Sequence, residues 1–255
     1  METSKVEEAI KNLVNVFFDA GKLSLELRGK GLTEHIKKDK TPVTNGDIEV
    51  NNIIVNSLKK ITPDIPIVSE ENEENKNFNL ETFWLVDPID GTYDYINNGD
   101  EFTLNAGLII NKKALAGIIY APAKNRMFYT SGNKLSFELK NGKEEIINKK
   151  KIDKNNIKAV SYSNNLKAEI LEIHKKLNVK EYVKMKSSLK FCVIATGEYQ
   201  IYVAEPRAHE WDIAAGHAIL ENSNGIITDF NGNDIFYGKN GFKNPSLILK
   251  SVKNI

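Results

Sequence analysis

The stretch FWLVDPIDGT, residues 83 to 92, constrains the fold more than any other part of the chain. Phe83 to Val86 is a short apolar run bounded by turn-forming residues, which reads as a buried strand ending at Asp87. Pro88 has no N–H to give to a ladder, so the strand is expected to stop there, with Asp90 on the turn that follows. Two carboxylates are thereby held a few ångströms apart at the edge of the core. In a low-dielectric site that proximity costs on the order of several kcal/mol unless one acid takes a proton or a cation sits between them. The cation is the more productive solution.

Other acids stand in comparable places. Glu70 and Glu71 follow the short strand Ile67 to Ser69, Asp47 opens a helix after TPVTNG, and Asp212 lies at another helix start after Trp211. Hard oxygen donors at the ends of secondary elements, with no paired histidines or cysteines, suit Mg²⁺ or Mn²⁺ better than zinc. Taken singly, Asp47 and Asp212 read as helix N-caps, and Glu71 and Glu73 as solvated charges.

The remaining composition narrows the function classes. Lys and Arg number 35 against 34 Asp and Glu, a net charge of +1, so no global field draws the chain to a nucleic-acid polymer or an anionic membrane. No run of about eighteen apolar residues exists to serve as an integral membrane segment. Val6, Ile10, Leu13, Val14, Phe17 and Phe18 follow helical spacing rather than a signal-peptide core. Cys192 is the only cysteine, which precludes an internal disulfide and suits a reducing cytoplasm. A Cys-x5-Arg phosphatase loop would need arginine where Glu198 stands, so Cys192 reads as a core residue. Of the histidines, His35 lies in a charged loop, His174 on a polar helix, His217 one turn past Asp212 as a packing residue, and His209 beside the acidic cluster as a candidate substrate contact.

Periodicity predicts helices over about 4–28 and 47–60. FWLVD, FTLNAGLII, ALAGIIYA and MFYT read as antiparallel strands of one sheet, and KNGKEE as a hairpin turn. Beyond NKKKIDKNN, strand-like and helix-like segments alternate. The chain thus reads as two halves: an α+β half, 1–150, carrying most of the acids, and an α/β half, 151–255, carrying Asp212. DFNGNDI lacks the twelfth-position glutamate of a calcium loop and reads as a turn with a hairpin signal.

In combination, PVTNGD, VSEEN, WLVDPIDGTYDYI and EWDIAAGHAIL resemble the metal-dependent, lithium-sensitive phosphatase superfamily of inositol monophosphatases, fructose bisphosphatases and bisphosphate nucleotidases. TPDIPIVSEEN, NGDEFTLNAGLI, GIIYAPAKNRMFY and SSLKFCVIATGEYQIY are most similar to its CysQ-type 3′(2′),5′-bisphosphate nucleotidases. The resemblance implies an α/β (α+β) fold, a layered α-β-α-β-α sandwich. It implies two or three Mg²⁺ ions, with Mn²⁺ as a substitute, and a small phosphorylated substrate, adenosine 3′,5′-bisphosphate, converted to AMP and phosphate. It also implies a cytoplasmic enzyme, free or peripheral to the inner membrane, serving sulfur metabolism as a monomer or homodimer.

Carried over residue by residue, the resemblance makes Glu70, Asp87, Asp90, Asp212 and the carbonyl of Ile89 the metal ligands. Asp47, Thr92 and Glu70 become the catalytic groups, with Thr92 orienting the attacking water. Gly91 and Thr92 present backbone N–H groups to the scissile phosphate, and Ser188, Lys190, Arg207 and Asp212 contact the substrate. Lys190 stands where the inositol branch usually has a neutral residue, so it is read as a ligand for a second phosphate, against the plainer reading of a solvated helix lysine. Tyr93, Lys186 and NNGDEF depart from the CysQ pattern and bear on substrate preference. An inositol monophosphatase, or an inactive phosphonucleotide-binding protein, is the alternative.

Overall fold

A computed structural model describes residues 2–37, 40–72, 80–147 and 152–255. In chain order the elements are α1 (Thr3–Lys30), β1 (Glu34–Ile36), β2 (Pro42–Thr44), α2 (Asn45–Ile61), β3 (Ile67–Ser69), β4 (Phe83–Asp90), α3 (Thr92–Ile96), β5 (Thr103–Ile110), β6 (Lys113–Ala121), β7 (Arg126–Thr130), β8 (Phe137–Lys140) and β9 (Lys143–Ile146). The chain continues through β10 (Ile157–Ser161), α4 (Ala168–Lys176), β11 (Val179–Lys184), α5 (Leu189–Thr196), β12 (Ile201–Ala204), α6 (Glu210–Asn222), β13 (Ile226–Thr228) and β14 (Leu247–Lys250).

Strands β3 to β9 form one sheet in sequence order, with β3 parallel to β4 and each later pair antiparallel. A second sheet has the order β11-β10-β12-β14-β13, parallel across its first three strands and antiparallel where β14 inserts. Alternation along β4 assigns its two faces. Trp84 and Val86 pack with Val6, Ile10, Leu13 and Phe17 of α1 and Val50, Ile54 and Leu58 of α2, whereas Phe83 and Leu85 pack with α5 and α6. Burying each such large side chain contributes roughly 1.5–3 kcal/mol.

Helices α5 and α6 also pack against Tyr202, Leu247 and Leu249 of the second sheet, whose far face holds Ile157, Ala159, Ile201 and Val203 against Ile170 of α4. The layers therefore run α1/α2, first sheet, α5/α6, second sheet, α4, which is the α-β-α-β-α sandwich. Helix α6 lies close to the first sheet because Gly107 and Gly117 have no side chain. A Cβ on Gly107 would meet the backbone of Ala214 and Ala215 at 2.7–2.8 Å, and one on Gly117 would meet Ala215 Cα at 2.7 Å.

Several expectations need correction. Strand β4 does not end at Asp87 but runs through Pro88 to Asp90 over a bulge, since Asp87 faces Asn105 and Asp90 faces Thr103. The four strands read as antiparallel, β4 to β7, are so, and the short strand β3 joins them in parallel. The charged loop after α1 contains the antiparallel pair β1–β2. DFNGNDI is a turn closed by Asp229, whose carboxylate accepts from Asn231 N and Asn233 N at 2.8 Å, but it makes no hairpin: β13 pairs with the distant β14. His174 lies on the polar helix α4 as read, and it is buried with its ring against Tyr182. The boundary expected near residue 150, and Glu73, lie outside the described residues.

Candidate metal centre

Two helix starts and two strand ends bring the acids together. Thr44 caps α2: its hydroxyl accepts from Gly46 N and Asp47 N, while Asp47 Oδ2 accepts from Thr44 N at 2.7 Å and lies 2.6 Å from Thr44 Oγ1. Asp47 is thus the third helical residue of a capping box rather than the cap itself. Asp212 occupies the same place in α6, with Oδ2 accepting from His209 N at 2.7 Å. In each case one carboxylate oxygen fixes the helix start, which leaves the other to face the site.

Asp87 lies at the β4 bulge and is 1% exposed, and Glu70 follows β3, where Glu70 N donates to Val86 O at 3.0 Å. One carboxylate oxygen each from Glu70, Asp87 and Asp212 lies within 4.8 Å of the other two. Asp90 is close enough that its charge acts on Asp87 and Asp212, and its own Oδ2 accepts from Ser188 Oγ at 2.5 Å. Gly91 follows at φ 91°, a left-handed conformation that glycine adopts without strain, and this turns the chain into α3. Thr92 Oγ1 lies 3.3 Å from Asp47 Oδ1 and 3.2 Å from Ile89 O.

The electrostatics show what the cluster lacks. Burial first, then the charges of Glu70, Asp90 and Asp212, hold Asp87 well above the usual carboxylate range; burial and the charges of Asp90 and Glu70 do the same to Asp212. Asp87 Oδ1 is buried with no hydrogen-bond partner. An orphaned carboxylate oxygen, beside carboxylates that ionise only with difficulty, is the donor set of a hard divalent cation, and the residues present fit one.

A cation of the chain itself lies beside this cluster, and sequence reasoning missed it. Lys37 Nζ contacts Glu70 Oε1 at 2.8 Å and Glu71 Oε1 at 2.5 Å. Burial alone would lower its pKa, but the two glutamates raise it. Glu71 is therefore not a solvated charge: burial pushes its pKa up to about 7, even with Lys37 opposing. Only the run of lysines after β1 hinted at such a group, and spacing does not say which lysine turns inward.

Across the site, Asp90, Ser188, Lys190, Tyr202, Arg207 and Asp212 line one pocket. Lys190 is buried, not solvated: Nζ donates to Ser187 O at 2.5 Å and lies 5.5 Å from the Tyr202 ring centre. Burial, opposed by Asp90 and reinforced by Arg207, lowers its pKa to about 8. Arg207 is exposed and stacks on Tyr162, its Cζ 4.2 Å from the ring centre. The pocket lining thus combines two carboxylates with two cations. His209 stacks on Trp211 at 4.7 Å beside this pocket. Cys192 is buried in the core between the sheets.

The family model described as "Inositol monophosphatase family" matches residues 5–253. The chain belongs to the inositol monophosphatase family. It is 34% identical over 215 residues to the 3′(2′),5′-bisphosphate nucleotidase CysQ of Escherichia coli strain K12, covering 82% of this chain and 85% of that one. The CysQ of Buchnera aphidicola subsp. Acyrthosiphon pisum is 38% identical over 212 residues, 79% of this chain and 76% of its own. The crystal structure of CysQ from Bacteroides thetaiotaomicron superposes with a TM-score of 0.82 at 25% identity, over 97% of this chain and 98% of that one. Membership makes this chain a phosphatase of a metal-dependent family. No helix of the described residues is long and apolar enough to cross a membrane.

Proposed function

We propose that the protein hydrolyses the 3′-phosphate of adenosine 3′,5′-bisphosphate to give AMP and phosphate, with Mg²⁺, two or three ions, as the native metal and Mn²⁺ as a substitute. The observation that carries this reading is the pocket lined both by the acids Asp90 and Asp212 and by the cations Lys190 and Arg207. A substrate with one phosphate needs only the acids and the metal they hold, and a substrate with two uses the cations as well. The similarity to CysQ proteins named as 3′(2′),5′-bisphosphate nucleotidases supports the same choice.

In this reading Glu70, Asp87, Asp90, Asp212 and the Ile89 carbonyl hold the metal. When bound, the divalent ions supply positive charge against the phosphoryl group and make water a stronger acid, which phosphate monoester hydrolysis requires. The chain supplies the geometry. Asp47 Oδ1 takes the Thr92 hydroxyl proton in a hydrogen bond, so that the oxygen's lone pairs face a water, aligning it for in-line attack. Glu70 bears on the same water as a catalytic group. Backbone N–H groups of Gly91 and Thr92 receive the scissile phosphate, for which the left-handed turn at Gly91 exposes them. Ser188 steadies Asp90, while Lys190 and Arg207 take the second phosphate through charge-assisted hydrogen bonds. The reading includes a cytoplasmic protein acting on a small molecule.

Phosphate release by the purified chain tests this, comparing adenosine 3′,5′-bisphosphate, inositol 1-phosphate and fructose 1,6-bisphosphate with and without Mg²⁺. The nucleotide should give the highest kcat/KM and chelation should abolish turnover. An outcome in which the nucleotide ranks last sinks the assignment.

A further inference from the structure

Strand β5 carries two buried polar side chains that the chemistry above does not use. Asn105 is 1% exposed and Thr103 fully buried, and neither side chain has a hydrogen-bond partner: Asn105 Oδ1 and Nδ2 and Thr103 Oγ1 all stand alone. A buried amide in that condition has given up its hydration with no bond in return. Their positions in the sheet explain what they are for. In the β4–β5 register Asn105 is directly opposite Asp87 and Thr103 directly opposite Asp90, and cross-strand partners share a face with Cβ atoms about 4.5–5.5 Å apart. That face is the one covered by α6, because Gly107, next in the alternation, meets Ala214 and Ala215. Each strand-borne acid of the metal centre therefore has a buried hydrogen-bond donor beside it, beneath the helix that brings Asp212.

We propose that Asn105 and Thr103 are positioning residues for the metal centre, with the Asn105 amide donating to Asp87 Oδ1 and the Thr103 hydroxyl donating to Asp90. Asp87 Oδ1 and both donors on β5 are buried without partners on the same face of the β4–β5 pair. A carboxylate oxygen accepts where an amide or hydroxyl donates, so these groups can satisfy one another. Strand β5 thereby fixes which oxygens of Asp87 and Asp90 remain for the metal. This rests on the proposed ligand role of Asp87 and Asp90.

The test is a calorimetric titration of the full-length protein with Mn²⁺, alongside thermal unfolding of the metal-free form. Asn105→Leu, close in volume, should weaken Mn²⁺ binding by about 10- to 100-fold, the usual effect of losing an outer hydrogen bond to a ligand. Its metal-free midpoint should hold or rise, because an unpaired amide is gone. Thr103→Val should act in the same direction, and Asn105→Ala gives a smaller side chain should leucine prevent folding. A purely structural role predicts the reverse, a lower metal-free midpoint with unchanged Mn²⁺ affinity, and that result overturns the inference while leaving the metal centre standing. Absence of Mn²⁺ binding by the unaltered protein overturns both.

Discussion

Asp87→Asn should make the metal-free protein more stable and the metal-loaded protein nearly inactive. Asp87 is 1% exposed, one oxygen has no partner, and burial together with Glu70, Asp90 and Asp212 raises its pKa. A carboxyl whose folded pKa exceeds its unfolded value binds its proton more tightly in the native state. Unfolding releases that proton, so metal-free stability is highest below the unfolded value, about 4, and falls as pH rises through the folded one. Asparagine does not titrate, and its amide can donate where the acid repels. The gain at pH 8 should be about 1–3 kcal/mol, the cost of one buried unsatisfied polar group. For 255 residues that is roughly a 2–6 °C rise in midpoint. Circular dichroism melts in chelator at pH 5 and pH 8 should show the variant's advantage growing with pH. Mg²⁺ should then stabilise the parent more than the variant, and kcat/KM should fall at least about 10²-fold, as when one preorganised group is lost from a charged transition state. A parent as stable without metal at pH 8 as at pH 5, with no gain from Asp87→Asn, would refute the reasoning.

Lys190→Met and Arg207→Gln should each lower kcat/KM for adenosine 3′,5′-bisphosphate by about 10- to 100-fold, the worth of a charge-assisted hydrogen bond, while sparing adenosine 3′-monophosphate; parallel assays on the two nucleotides check this. Thr92→Val should cut kcat by about 10²–10⁴-fold, the range for losing a positioned proton-transfer group, with Mn²⁺ affinity unchanged by calorimetry. Gly107→Ala forces α6 off the sheet and should cost about 1–3 kcal/mol in chemical unfolding, with activity lost in step because Asp212 moves with the helix.

The features legible in the sequence were those written in a local pattern. The apolar run before Asp87 and the alternation of strand-like and helix-like segments each announce themselves within a few residues, whereas the layered sandwich and the grouping of Glu70, Asp87, Asp90 and Asp212 followed from the resemblance of several such segments to a known family. The capping box at Thr44 to Asp47 was equally local, yet Asp47 reads as a cap unless the threonine three residues earlier is counted. What escaped was non-local. Lys37 matters because β1–β2, a pair of three-residue strands with no apolar periodicity, brings it to Glu70 and Glu71. Asn105 reads as an ordinary strand residue until the register places it opposite Asp87. Lys190 could be read as a phosphate ligand or as a solvated lysine, because the sequence does not say that both sides of α5 are covered by sheets.

Helix α6 touches both sheets and carries Asp212 at its first turn, so the acids come from the first two fifths and the last fifth of the chain. A growing polypeptide still missing its C-terminal portion therefore has no complete binding place for the ions, however well its early strands have formed. Catalytic competence waits for α6, and a copy cut off before that helix is silent rather than partially active.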